Sequence, residues 1–279
     1  MRHAWVVLLL FLTVPSSQGE AQAGRTVRQV AVTFDDLPAT RIVSLADVRT
    51  LTTQLLDELA AYRIPATGFV NEGKLDEVPG ERQGRIDLLD GWLDAGHELG
   101  NHTYSHLRLY NATIAEFEAD LLRGEQVTRQ LLEARGCVPR YFRHPTLNTG
   151  RDAEHKAAAE RVLARHGYTV APVTIDSDEY LYAAAYARAR AAGDSALMQR
   201  LGTDYVRYMA RMFGYYERLS MTLLTREPAQ VLLLHANWLN ADYLAPLVEM
   251  MQRRGYEFVT LEAAMADPVY RLPDTYVGN

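Results

Sequence analysis

A single cysteine, Cys137, in 279 residues excludes a disulfide framework and a multi-cysteine zinc module. There is no excess of basic charge. Lys and Arg number 29 against 35 Asp and Glu, a formal net charge of −6, which argues against nucleic acid or anionic lipid as partners. No apolar run reaches the roughly 20 residues that a membrane span requires. Internal repeats, low-complexity tracts, Pro/Gly/Ser linkers and a phosphate-cradling glycine loop are all absent from the sequence. What remains is ordinary globular material, 48% hydrophobic and 23% charged, long enough for a sizeable core. With no second cysteine to pair with, Cys137 is expected to be a buried, unreactive thiol.

The first residues read as an export signal. Arg2 and His3 precede an apolar run of 11 residues, Ala4–Val14. Pro15, Ser16 and Ser17 break the run, and Ala21-Gln22-Ala23 offers a small-x-small cleavage site. This layout predicts a signal peptide over 1–23, a mature domain over 24–279, and a secreted or periplasmic location.

Beyond it, short apolar runs alternate with helical periodicity. Strands are expected at Gln29–Phe34, Ala66–Val70, His97–Asn101, Arg140–Arg143, Tyr168–Ile175, Val231–His235 and Tyr256–Val259. Between them, helices are expected from the Ser44 cap to about Tyr62, over Gly84–Ala95, from the Thr113-x-x-Glu116 capping box to about Arg135, over Asp152–His166 and over Ala241–Arg254. A helical stretch over about 179–225, broken near Gly193-Asp194, reads as an insertion. The alternation predicts an α/β fold of about seven parallel strands, either a barrel or a doubly wound sheet.

The polar residues that stand out all fall where an expected strand ends: Asp35 and Asp36, His102 and His106, Arg143, then Asp176, Asp178 and Glu179, and finally His235. In a parallel barrel those ends open onto one face, so residues far apart in sequence become one cluster. His102 and His106, spaced i, i+4, would face the same way on a helical turn and share one metal, with a carboxylate of the Asp pair completing the set. One Asp of an adjacent pair can bind metal while its neighbour stays free as a base. His235 can serve as a general acid if a carboxylate holds its tautomer, with Asp176, Asp178 and Glu179 as candidates. Arg143 can pair with the base carboxylate. Tyr104, Tyr180 and Trp238 can form an apolar wall for a sugar ring.

In this order, Thr33-Phe34-Asp35-Asp36, His102-Thr103-Tyr104-Ser105-His106, Arg143-His144-Pro145, Asp176-Ser177-Asp178-Glu179-Tyr180 and Leu233-Leu234-His235 resemble the five motifs of the polysaccharide deacetylases, carbohydrate esterase family 4 or NodB-like. The resemblance spans about residues 28 to 260. It implies a distorted (β/α) barrel and one catalytic domain. It also implies Asp35 as general base oriented by Arg143, His235 as general acid, and Asp36, His102 and His106 as ligands of zinc or another divalent ion such as cobalt. The implied reaction is hydrolysis of an N-acetyl group, or an O-acetyl ester, on peptidoglycan, a chitin-like glycan or xylan.

Two motifs depart from the family pattern. Leu147 stands where the third motif has an aromatic residue; a backbone N–H would still serve the oxyanion, while substrate contacts change. Glu179-Tyr180 replaces the Asp-Trp of the fourth motif, so the carboxylate partner of His235 stays open between Asp176 and Glu179. Two other readings share the same residues: a non-catalytic glycan-binding protein on this fold, and a metallohydrolase acting on another bond, such as a phosphoester or a cyclic amide.

Overall fold

The computed structural model describes residues 27–41 and 44–277; the expected signal segment, 1–23, lies outside the described residues. A strand with apolar side chains on both faces needs cover on both sides. β1 (Arg28–Leu37) and β6 (Gln230–His235) are strands of this kind. Val30, Val32, Phe34, Leu232 and Leu234 all sit in the main core, buried. They are the centre of a seven-stranded, wholly parallel sheet completed by β2 (Ala66–Val70), β3 (Glu98–Asn101), β4 (Tyr141–Phe142), β5 (Thr169–Val170) and β7 (Tyr256–Phe258). The ladder runs β5-β4-β3-β2-β1-β6, and β7 pairs the start of β1.

The sheet curls towards closure without a continuous ladder. A strand over Tyr168–Ile175 was expected, but only Thr169 and Val170 pair with β4. Pro172 cannot donate to a ladder. The chain then crosses to the opposite edge, where Ile175 bridges Leu232 of β6. This one segment joins both ends of the sheet, giving the distorted barrel.

The helices follow their local signals. Ser44 caps α1 (Leu45–Ala61), whose Val48, Leu51, Leu55 and Leu59 form one buried stripe, and α2 (Arg82–Asp94) follows β2. Asp152 caps α5 (Ala153–Arg165). The insertion is α6 (Glu179–Ala191) and α7 (Ser195–Leu224), with Asp194 capping the second. Tyr205, Met209 and Phe213 give α7 a buried face at helical spacing. α8 begins at Trp238 and ends at Arg253, three residues earlier than the expected start at Ala241, because the Asn237 side chain accepts the Asn240 N–H and caps it. Among the described residues, no helix is long and apolar enough to cross a membrane.

One helix expectation fails because sequence pattern does not reveal where backbones meet. The capping box at Thr113 forms, but the single helix expected to Arg135 breaks into α3 (Ile114–Arg123) and α4 (Gln126–Glu133). At the break, a Cβ on Gly124 would stand 2.4 Å from the Tyr104 nitrogen and 2.6 Å from the Thr103 carbonyl carbon. The break thus seats the 102–106 loop against the helix end. Gly124→Ala is expected to cost about 1–3 kcal/mol, since backbone rather than a flexible side chain must move. Urea unfolding measures the loss, and a wild-type midpoint would show that the loop yields freely. Cys137 is exposed rather than buried. It follows the turn at Gly136 (φ 72°) that leads out of α4 towards β4.

Candidate metal centre and active site

The β1 strand ends inside a cavity of about 1000 Å³. Its wall includes Asp35, Asp36, His102, His106, Leu147, Asp176, Tyr180, His235 and Trp238, so the strand ends converge on one face. Backbone strain gathers here too. Asp36, Thr103, His106, Thr146 and Leu147 all have positive φ, between 54° and 71°. Such residues persist only where their surroundings hold them.

His102 and His106 do not lie on a helical turn. They occupy an irregular loop, with Thr103 and His106 left-handed. Side-chain bonds replace the helical ladder: Thr103 N–H donates to Asn101 Oδ1 at 2.7 Å, Leu107 N–H to Thr103 Oγ1 at 3.0 Å, and Asn71 to the carbonyls of His102 and Thr103. Even so, the two imidazole centroids are 5.0 Å apart. His102 Nδ1 lies 2.8 Å from the Arg143 carbonyl, which can only accept, so Nδ1 carries the proton and Nε2 presents a lone pair. Asp36 Oδ1 stands 3.9 Å from His102 Nε2 and 3.6 Å from His106 Nε2. One ligand atom from each of the three residues lies within 4.8 Å of the others.

The electrostatics suit ligation. Burial pushes the His102 imidazole down and takes His106 to about 4, so both are neutral at pH 7. Burial opposes the Asp36 charge, but Lys74 and the nearby histidines outweigh it and hold this carboxyl well below the usual range. Among the described residues, Asp36 Oδ1 is buried without a hydrogen-bond partner, with the Lys74 ammonium opposite it at 3.5 Å. Two neutral imidazoles and an orphaned carboxylate oxygen fit a divalent cation.

Asp35 is 3% exposed. The Arg143 guanidinium donates to Asp35 Oδ1 at 3.3 Å and is itself fixed by Thr33 Oγ1, the carbonyls of Ala171 and Pro172, and the Phe69 ring. On the neighbouring strand β6, His235 Nδ1 meets Glu179 Oε2 at 2.7 Å. Burial works against a charged His235, but this bond and the Glu179 charge prevail and push it up to about 9. Glu179 is thus the bonded carboxylate. Asp176 lines the cavity and accepts the Ser177 N–H at 2.8 Å instead.

Other expected contacts differ. The Leu147 N–H donates to the His144 carbonyl at 3.0 Å, so it is taken by its own turn. Tyr180 is 54% exposed at the rim. Trp238 lines the cavity, but the Arg190 guanidinium lies 3.8 Å over its ring. Tyr104 points away from the cavity: its hydroxyl donates to Asp76 and Arg123 covers its face. Sequence reasoning missed Lys74, whose Nζ donates to the Asp36 and Ala39 carbonyls and stands 3.5 Å from Asp36 Oδ1. It lies in a 3-10 turn after β2, outside every motif. It also missed Asn237 and Asn240, hidden by the misplaced start of α8.

Residues 23–171 match the family model described as polysaccharide deacetylase. A chitin deacetylase from Colletotrichum lindemuthianum is 29% identical over 151 residues, 54% of this chain and 52% of that protein. A peptidoglycan-N-acetylglucosamine deacetylase from Bacillus cereus is 32% identical over 116 residues, 42% of this chain and 45% of that protein. The chain therefore spans about half the length of the curated relatives it matches. In fold, it is similar to a family 4 acetyl xylan esterase from Clostridium thermocellum, solved with a cobalt ion. The TM-score is 0.56 at 19% identity, covering 88% of this chain and 93% of that one.

Proposed function

This chain belongs to the polysaccharide deacetylase family, and on that footing we propose that it is a metal-dependent hydrolase removing acetyl groups from an acetylated glycan. Three units around one cavity support this most directly: the Asp36–His102–His106 donor cluster, the Asp35–Arg143 pair and the Glu179–His235 pair. Asp36, His102 and His106 would hold the divalent ion, zinc or cobalt in kind. Such an ion supplies Lewis acidity, which polarises a carbonyl and acidifies water.

The chain's own residues account for the proton transfers. Asp35, oriented by Arg143, takes a proton from the attacking water. His235, protonated on both nitrogens and held by Glu179, gives the proton at Nε2 to the departing amine or alkoxide. Acetate and a free amino or hydroxyl sugar result. The names of the matched relatives favour an N-acetylated glycan such as peptidoglycan or chitin. We place the enzyme outside the cytoplasm on the reading of Ala4–Val14 as an export signal.

The test is acetate release from acetylated chitin oligomers, peptidoglycan and xylan, by protein reconstituted with zinc or cobalt, with and without chelator. Release abolished by chelator is expected. No release from any glycan with any divalent metal would leave a binding protein instead.

A pH dependence follows from His235. Its acid form is present below about 9, so activity is expected to fall as pH rises through that value. The same raised pKa stabilises the fold fully below the unfolded value of about 6.5 and less as pH climbs through 9. Glu179→Gln removes the bonded carboxylate and leaves burial to dominate, so the alkaline limb of the pH–rate profile is expected to move to lower pH. An unmoved limb would separate Glu179 from the titrating group.

A further inference from the structure

The long helix α7 has no part in the proton transfers above, yet one of its side chains reaches the support of the acid. Glu179 is 1% exposed, and its two oxygens are used differently. Oε2 faces His235 Nδ1, while Oε1 accepts from the side-chain amides of Asn237 and Asn240, the latter at 2.9 Å. The Asn240 amide nitrogen also donates to the His235 carbonyl at 2.8 Å. Asn240 Oδ1 in turn accepts from the Tyr205 hydroxyl at 2.8 Å, and both residues are wholly buried.

An asparagine amide can rotate by half a turn and exchange its oxygen and nitrogen. Rotated, Asn240 would aim its oxygen at the Glu179 carboxylate and the His235 carbonyl, setting acceptor against acceptor. Those two acceptors fix the observed orientation, and the Tyr205 hydroxyl, by donating to Oδ1, satisfies the amide oxygen that this orientation turns towards α7. Burial and the Glu179 charge hold the Tyr205 hydroxyl well above its usual pKa, so it keeps the proton it donates.

We propose that Tyr205, Asn240 and Asn237 are positioning residues that lock Glu179 against His235, which makes α7 a working part of the site. The proposal rests on His235 as the proton donor. The charged groups facing His235 are Glu179 from α6, Asp35 and Asp36 from the end of β1, and Asp176 from the segment before α6. α8 contributes neutral amides.

Two variants test the lock with little disturbance. Tyr205→Phe keeps the ring that packs 5.9 Å from Tyr182 and removes one oxygen. Asn237→Ser keeps an oxygen to cap α8 and removes an amide donor. The His235 ring pKa is followed by nitrogen-15 NMR, and acetate release from acetylated chitin oligomers is measured against pH. In both variants the ring pKa is expected to fall by about 0.5–1 unit, because a loosened carboxylate supports the imidazolium less well. The same loosening misplaces the Nε2 proton, so kcat falls about tenfold at unchanged KM, and the alkaline limb of the rate profile moves down with the ring pKa. A lowered Tm with the ring pKa at or above its wild-type value would overturn the proposal and leave these residues a packing role. A lowered ring pKa with an unmoved rate profile would uphold the lock and dismiss His235 as the donor.

Discussion

Asp35→Asn is expected to cut acetate release by about 10²- to 10⁴-fold while leaving bound metal at wild-type stoichiometry. The substitution is nearly isosteric, and the new amide oxygen can still accept from Arg143. What it removes is the negative charge that makes position 35 a base. The Asp36–His102–His106 donor set is untouched. There is a structural cost: Arg143, 1% exposed, loses its anion, and an unpaired buried charge costs about 3–5 kcal/mol. Turnover is therefore compared at a temperature where circular dichroism shows the variant folded. Near-normal turnover by folded, metal-loaded protein would remove Asp35 from the base role.

His106→Ala should produce the opposite dissociation of effects. The side chain is 35% exposed, so its removal opens no core cavity. It supplies one of three donors, however, and metal affinity is expected to fall more than about 100-fold, beyond what loss of a supporting contact causes. Elemental analysis after dialysis would find wild type and Asp35→Asn loaded and His106→Ala empty. Thermal unfolding gives an independent readout. A ligand at about 100 times its Kd stabilises a fold by about 2.7 kcal/mol, so chelator should lower the Tm of wild type and leave His106→Ala unchanged. Full metal content in this variant would place the ion elsewhere.

Much of the site was legible because each motif sits at a strand terminus, and a parallel sheet brings those termini together. The apolar runs of β1 and β6 carry Asp35 and His235 to adjacent rungs, where the two residues are paired in register. The Ser44 and Thr113 caps marked helix starts through short-range hydrogen bonds that sequence alone encodes. What stayed hidden depends on contacts between segments. The break at Gly124 answers to the backbone of Tyr104. The left-handed turn at Thr103 is held by Asn71 and Asn101, and the one at His106 is followed by a Leu107 N–H that donates to Thr103 Oγ1. Lys74 reaches Asp36 from a turn that no periodicity marks. The choice of Glu179 over Asp176 rests on helical phase, since the first residue of α6 points inward while Asp176 precedes the helix.

α6 opens with the carboxylate bonded to His235 and continues along the cavity as Ala183, Ala184 and Ala187. The position of the Glu179–His235 pair and the width of the cavity are therefore mechanically linked through one helix. Under the proposed function, any drift of that helix which admits a bulkier sugar would also drag the anchor of His235, so substrate range and turnover should evolve together.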